Sequence, residues 1–356
     1  MNNSTLIIAE AGVNHNGERD LAFQLVSAAA DSGADAVKFQ TFNAERLAAA
    51  TAPKAQYQKE NTETSESQLA MLKKLELQES WHKDLQDYAE QKGITFISTA
   101  FDLQSLEFLQ TLDLPFYKIP SGEITNARLL WAFAATGKPC ILSTGMATLS
   151  EVEQALAILA HGYSFDREPR SLNETWEFWS QPQAYEAIKD QVTLLHCTSC
   201  YPTPLDQVNL KAMDTLRATF ALPVGYSDHT QGLLVPVAAA ARGATIIEKH
   251  FTLDRHLPGP DHKASLEPHE LKELVQQVRA VEQILGSGRK IPLPAERDTR
   301  QVARQSLLVA HAVQQGETLD KTTLTTARTG QGISAIHYWD YLGTPASKDY
   351  QPGEAL

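Results

Sequence analysis

The chain has 356 residues, 42% of them hydrophobic, enough for one large or two ordinary domains with a sizeable buried core. Lys and Arg number 31 against 43 Asp and Glu, a formal net charge of -12, which argues against broad nucleic-acid or anionic-membrane binding, since that needs basic surface. Three cysteines imply a reducing compartment without a disulfide framework, and no apolar run approaches the ~20 residues of a membrane helix, so a cytoplasmic location is expected.

Eight short apolar runs follow one another along the first 250 residues, and each ends in polar side chains. Leu6-Ile7-Ile8-Ala9 ends at Glu10, Ala36-Val37 at Lys38-Phe39-Gln40, and Thr95-Phe96-Ile97 at Ser98-Thr99. Phe116-Tyr117 runs into Lys118-Ile119-Pro120-Ser121-Gly122-Glu123, and Cys140-Ile141-Leu142 into Ser143-Thr144-Gly145. Val192 to Leu195 ends at His196-Cys197-Thr198-Ser199, Leu222 to Tyr226 at Ser227-Asp228-His229, and Thr245 to Ile247 at Glu248-Lys249-His250. Helical spacing fills the intervals at 20–30, 79–89, 104–112, 127–135, 149–160, 232–241 and 268–285. Strand–helix alternation of this kind predicts parallel strands with right-handed crossovers. Eight strands with polar residues at one end predict a (β/α)8 TIM barrel, whose active site lies at the C-terminal strand ends.

Two stretches break the rhythm. Residues 40–80 are long and polar, follow strand two on the active-site side, and are a candidate lid. Residues 163–190, with Trp176, Phe178, Trp179 and Tyr185, enter strand six from the opposite face and read as a helix extension or oligomer contact. Gly, Ser and Pro cluster from Gly286 to Pro294, where the alternation stops. The predicted organisation is a barrel over 1–285, a linker over 286–298 and a small mainly-β domain over 299–356.

Lys38 and Gln40 share one face of their strand, and Lys118 ends strand four. Lysines in a barrel mouth need a carboxylate partner or an anionic ligand. Each could pair with a carboxylate such as Glu10 or Glu123; together with Ser121, Thr144 and Gly145 they favour a ligand carrying phosphate, carboxylate or both. His229 and His250 end neighbouring strands, with Asp228 and Glu248 beside them. Singly, each is a structural histidine; as a rim pair they suit a divalent ion with open positions for water and a substrate oxygen. Glu123 is the candidate general base, and Glu10 could orient a hydroxyl or a water. No G-x-G-x-x-G or Walker pattern is present, which argues against a nucleotide cofactor. Cys197 and Cys200 form a lone C-x-x-C, read as strand-end packing.

These residues carry a resemblance. Ala9-Glu10-Ala11-Gly12-Val13-Asn14-His15-Asn16-Gly17, Val37-Lys38-Phe39-Gln40-Thr41, Lys118 to Glu123, Tyr226-Ser227-Asp228-His229 and Glu248-Lys249-His250-Phe251-Thr252 resemble the bacterial sialic acid synthases. Gly259 to Pro268 continues the match, and Arg328-Thr329-Gly330-Gln331-Gly332-Ile333-Ser334 resembles their C-terminal antifreeze-like (SAF) domain. The resemblance implies condensation of phosphoenolpyruvate with an open-chain N-acetylated amino sugar, giving a nine-carbon 2-keto acid and phosphate. Lys38, Gln40, Thr99, Lys118, Ser121, Ser199 and Ser227 would bind phosphoenolpyruvate. Many relatives carry Asn at the position of Ser199; Ser is shorter, so that contact would be lost or water-mediated here. His229 and His250 would hold a divalent metal, manganese first, with magnesium and cobalt as alternatives. Glu123, Glu10, Asp261 and Lys118 would be catalytic. Asn61, Tyr201, Asp261 and Arg328 would meet the sugar, Arg328 from the neighbouring subunit of a domain-swapped homodimer. The expected activity is N-acetylneuraminate synthesis from N-acetylmannosamine. The alternative is an N,N'-diacetyllegionaminic acid synthase, with the same chemistry on a di-N-acetylated 6-deoxy sugar.

Overall fold

The computed structural model describes residues 4–62 and 66–356 and divides into two compact units, 1–286 and 287–356. In the first, eight parallel strands close into a barrel in sequence order: β1 (Leu6–Gly12), β2 (Ala36–Thr41), β3 (Thr95–Ala100), β4 (Tyr117–Ile119), β5 (Cys140–Ser143), β6 (Val192–His196), β7 (Val224–Asp228) and β8 (Ile246–His250). The fold is the expected (β/α)8 barrel.

Strand parity explains the interior. Ile8, Ala36, Ile97, Ile141, Leu195 and Ile246 form a small apolar cluster of their own inside the barrel. Two residues further along the same strands stand Glu10, Lys38, Thr99, Ser143, Cys197 and Glu248, so the same face turns from apolar to polar toward the C-terminal ends. The intervening residues, such as Ile7, Val37, Phe39, Tyr117, Leu194 and Ile247, face outward into the larger core beneath the helices. Gly225 lets β7 approach its neighbours: a Cβ there would stand 2.5 Å from Ile246 O and 2.6 Å from Leu195 Cδ2.

Outer helices at Arg19–Asp31, Glu79–Gln91, Leu103–Gln110, Ala127–Ala135, Leu149–Ser164, Leu234–Ala241 and Pro268–Leu285 stand where helical spacing places them. Helix Ala212–Phe220, not anticipated, completes the ring by burying Met213, Leu216 and Phe220. Thr148 starts Leu149–Ser164 with a capping box, accepting from Glu151 N while Glu151 Oε2 accepts from Thr148 N. Residues 163–190 are not an extension of that helix. They form two separate helices, Leu172–Trp179 and Pro182–Ile188, which pack on Leu149–Ser164 and are pinned there by Trp179 Nε1 donating to Glu153 Oε1 at 3.1 Å. The 40–80 segment carries short helices at Ala44–Leu47, Gln56–Thr62 and Gln68–Lys74.

In the second unit, β9 (Gln305–Val309) pairs antiparallel with β10 (Leu324–Arg328) around Val309, Val313, Leu319, Ala346 and Tyr350. The 286–298 stretch includes the turn Pro294–Glu296 and the start of helix Arg297–Ala303. Among the described residues no helix is long and apolar enough to cross a membrane.

Candidate active site

The C-terminal strand ends enclose a cavity of about 490 Å³. Glu10, Lys38, Gln40, Thr99, Lys118, Ser121, Glu123, Ser199, Tyr201, Ser227, His229, His250 and Asp261 all line it. Strand register puts them side by side: Glu10 is paired with Lys38 and with His250, Gln40 with Thr99, Thr99 with Lys118, and Ser227 with Glu248. One of the anticipated residues stands elsewhere. Asn61 is not among the lining side chains; its Nδ2 donates to Pro260 O at 2.7 Å, tying helix Gln56–Thr62 to the loop after β8. Arg328 ends β10 in the second unit and is exposed.

A buried charge network forms the floor. Lys38 Nζ lies 2.7 Å from Glu10 Oε2 and 3.7 Å from Glu248 Oε2, and donates to Thr99 Oγ1 at 3.2 Å. Lys118 Nζ is 3.8 Å from Glu248 Oε1, and its hydrogen bond goes to the carbonyl of Ile119 at 3.2 Å. The two lysines are therefore unequal. Burial disfavours the charge on both, but at Lys38 the charges of Glu10 and Glu248 outweigh it and the pKa rises. At Lys118 burial wins and the pKa falls. Burial also pushes the Glu248 carboxyl upward, yet Lys118 and Lys38 together bring it below its ordinary value. Glu248 is thus the hinge of the network, also accepting from Ser227 Oγ at 2.9 Å. It was singled out in the sequence only as a neighbour of His250. The signal that could have found it is parity, since Glu248 and His250 share the inward face of β8.

Asp228, grouped with His229 in the sequence, faces the other way. Its Oδ2 is 2.6 Å from Lys249 Nζ, and both side chains are fully buried outside the barrel interior. His229 itself points inward. Its Nδ1 sits 2.7 Å from the carbonyl of Thr198, which can only accept, so the proton is on Nδ1 and the Nε2 lone pair is available. His250 Nδ1 is buried with no hydrogen-bond partner among the described residues, and Asp261 Oδ2 lies 3.8 Å away. The two imidazole centroids are 5.5 Å apart, and the Tyr201 ring packs 4.1 Å from His229. Burial holds both imidazoles below their ordinary pKa, so they are neutral. Burial and the Glu10 charge raise the Asp261 carboxyl to about 7. Among the described residues no group of three or more His, Cys, Asp and Glu side chains converges as a metal-holding set.

The wall at β4 and β5 is tight. Ser121 Oγ accepts from Gly145 N at 3.0 Å and contacts Cys197 Sγ at 3.1 Å. A Cβ on Gly145 would stand 2.4 Å from Ser199 Oγ, 2.8 Å from Ser121 Oγ and 2.9 Å from Cys197 Sγ. Gly122, by contrast, has open space around it. Glu123 accepts from Asn126 Nδ2 at 2.7 Å, which orients its carboxylate at the rim.

The model of the NeuB family matches residues 25–290. N,N'-diacetyllegionaminic acid synthase of Campylobacter jejuni is 47% identical over 352 residues, covering 99% of this chain and 98% of that protein. The protein of the same name from Legionella pneumophila is 46% identical over 350 residues, covering 98% and 92%. The crystal structure of N-acetylneuraminic acid (sialic acid) synthetase from Leptospira borgpetersenii, in complex with citrate, is 34% identical with a TM-score of 0.68, covering 84% of this chain and 91% of that one.

Proposed function

Because the chain belongs to the NeuB family and is a phosphoenolpyruvate-dependent condensing enzyme of the sialic acid synthase type, we propose that it is an N,N'-diacetyllegionaminic acid synthase. The observation that carries the choice of sugar is the identity of 46–47% to two proteins of that name, against 34% to the sialic acid synthetase. This departs from the N-acetylmannosamine acceptor expected first from sequence.

The side chains support a simple division of labour. Lys118, the less compensated lysine, takes the phosphate or carboxylate of phosphoenolpyruvate. Lys38, Gln40, Thr99, Ser121, Ser199 and Ser227 complete the grip. Holding both substrates in one enclosed pocket turns a bimolecular encounter into a local one. The enol carbon of phosphoenolpyruvate attacks the aldehyde carbon of the open-chain sugar. Positive charge at carbon two is then quenched by a water that Glu123 orients and deprotonates, and phosphate leaves. Lys118 stabilises the anionic groups throughout. Asp261 can take or give a proton on the sugar side.

The residues present fit a divalent ion. His250 Nδ1 has no hydrogen-bond partner among the described residues, and His229 offers Nε2 while its Nδ1–H is fixed by Thr198. When bound by these two residues, the ion would supply Lewis-acid polarisation of the aldehyde. Manganese is the first candidate. The small unit reads as an antifreeze-like domain, with Arg328 serving the sugar site of a partner subunit in a homodimer.

The test is incubation with manganese, phosphoenolpyruvate and a panel of N-acetylated sugars, reading phosphate release and product mass. Release with the di-N-acetylated 6-deoxy sugar, far above that with N-acetylmannosamine, is expected; no release with any sugar overturns the reading. His229→Ala and His250→Ala should each weaken manganese binding measured by calorimetry, and undiminished binding in both would remove them as ligands.

A further inference from the structure

The cavity has two chemically different halves. Besides the charged strand ends, the segment between β2 and helix Glu79–Gln91 contributes Phe42, Leu47, Met71, Leu72 and Leu75 to the lining. Phe42, Met71 and Leu75 pack with Val13 into a small cluster of their own, so this wall is a preformed surface. Among the described residues, the polar side chains this segment adds to the lining are the neutral amides of Gln58 and Gln68, in a long 3.5 Å contact with each other.

An apolar wall is a poor match for a fully hydroxylated sugar. A hydroxyl turned toward it loses water without gaining a partner, which is unfavourable. A methyl group in the same place leaves water favourably. We infer that this wall is the element that selects the acceptor: Phe42, Met71, Leu72 and Leu75 take the methyl groups of the 6-deoxy carbon and of the second N-acyl group. The Gln58 and Gln68 amides stand at its edge to meet the acyl amide. The inference rests on the acceptor proposed above. It assigns discrimination to the 40–80 segment and leaves the chemistry to the strand ends.

The experiment compares kcat/KM for the di-N-acetylated 6-deoxy sugar and for N-acetylmannosamine in wild type, Met71→Gln, Leu72→Gln and Met71→Leu, with KM for phosphoenolpyruvate measured in each. The two Gln variants should lower the preference for the 6-deoxy sugar about tenfold or more, with KM for phosphoenolpyruvate within about twofold of wild type, since one buried apolar group typically discriminates by that factor. Met71→Leu, which keeps the wall apolar, should retain the preference. Leu72 is only half-buried, so Leu72→Gln carries the test if Met71→Gln does not fold. A wild type that prefers the 6-deoxy sugar, with both acceptors falling by the same factor in the Gln variants, overturns the inference alone. A wild type that prefers N-acetylmannosamine overturns the acceptor assignment and the inference with it.

Discussion

Lys38 and Lys118 point into the same cavity, but their surroundings divide their tasks. Lys38 has two carboxylates within 3.7 Å, whereas Lys118 has one at 3.8 Å. Removing one member of a buried pair typically costs about 3–5 kcal/mol because the other charge is left uncompensated. Lys38→Met strips Glu10 of its 2.7 Å partner and should destabilise the fold by that order. Lys118→Met leaves Glu248 within reach of Lys38, so its stability loss should be clearly smaller. Its effect should appear instead as a rise of about 10- to 100-fold in KM for phosphoenolpyruvate, the usual worth of a charge-assisted hydrogen bond. Urea unfolding and substrate titration of both variants check this, and the reverse ordering would show that Lys38 is the principal anion holder. The lysines and both histidines were legible in the sequence because a charge at the end of an apolar run is conspicuous. Glu248 and Asp228 were harder to place, since adjacent residues on a strand have opposite fates and proximity in sequence says nothing of which face each takes.

Among the elements, the strands and most helices declared themselves through their periods. The 163–190 segment did not, because its aromatics suit a continued helix as well as a second layer, and only packing on Leu149–Ser164 decides between them. Helix Ala212–Phe220 was legible in principle from Met213, Leu216 and Phe220, but its short amphipathic pattern is diluted by polar residues. The glycines of the strand-four and strand-five loops, Gly122 and Gly145, differ in their surroundings. Gly145→Ala forces a methyl against Ser199, Ser121 and Cys197 and should cut kcat/KM at least about tenfold with a displaced Ser121. Gly122→Ala, with open space around it, should keep at least half the activity and the wild-type melting temperature. Equal loss in both variants would show that backbone freedom, not the crowded wall, is what the glycines provide. The 40–80 segment was legible as a candidate lid beside the strand ends; which of its residues line the cavity depends on how its three short helices sit there.

At the scale of the molecule, buried neutral histidines couple the barrel to pH. His15 and His82 are fully buried, and burial lowers each from 6.5 to about 4. His82 Nδ1 donates to Gln78 O, and its Nε2 accepts from Thr41 Oγ1 at 2.7 Å, which fixes the neutral ring. Between those two pH values the unfolded chain binds protons that the native chain does not, so stability falls as pH falls. The contribution is complete above about pH 6.5, is lost as pH drops through about 4, and amounts to at most about 3 kcal/mol per ring. The melting temperature should therefore decline from pH 7 to 4.5, and His82→Gln should flatten that slope. A slope unchanged in the variant would assign the acid sensitivity to other groups.

The alternation along β7 and β8 has a consequence for how the chain reaches this state. Ser227 meets Glu248 inside the barrel, while Asp228 meets Lys249 outside it. If either strand slid by one residue, its inner and outer faces would exchange. Lys249 would join Lys38 and Lys118 in the lumen, and Glu248 would be stranded among the helices' apolar side chains. The buried charges inside and outside the strands therefore also disfavour a misaligned barrel, which would carry unpaired charge in both layers.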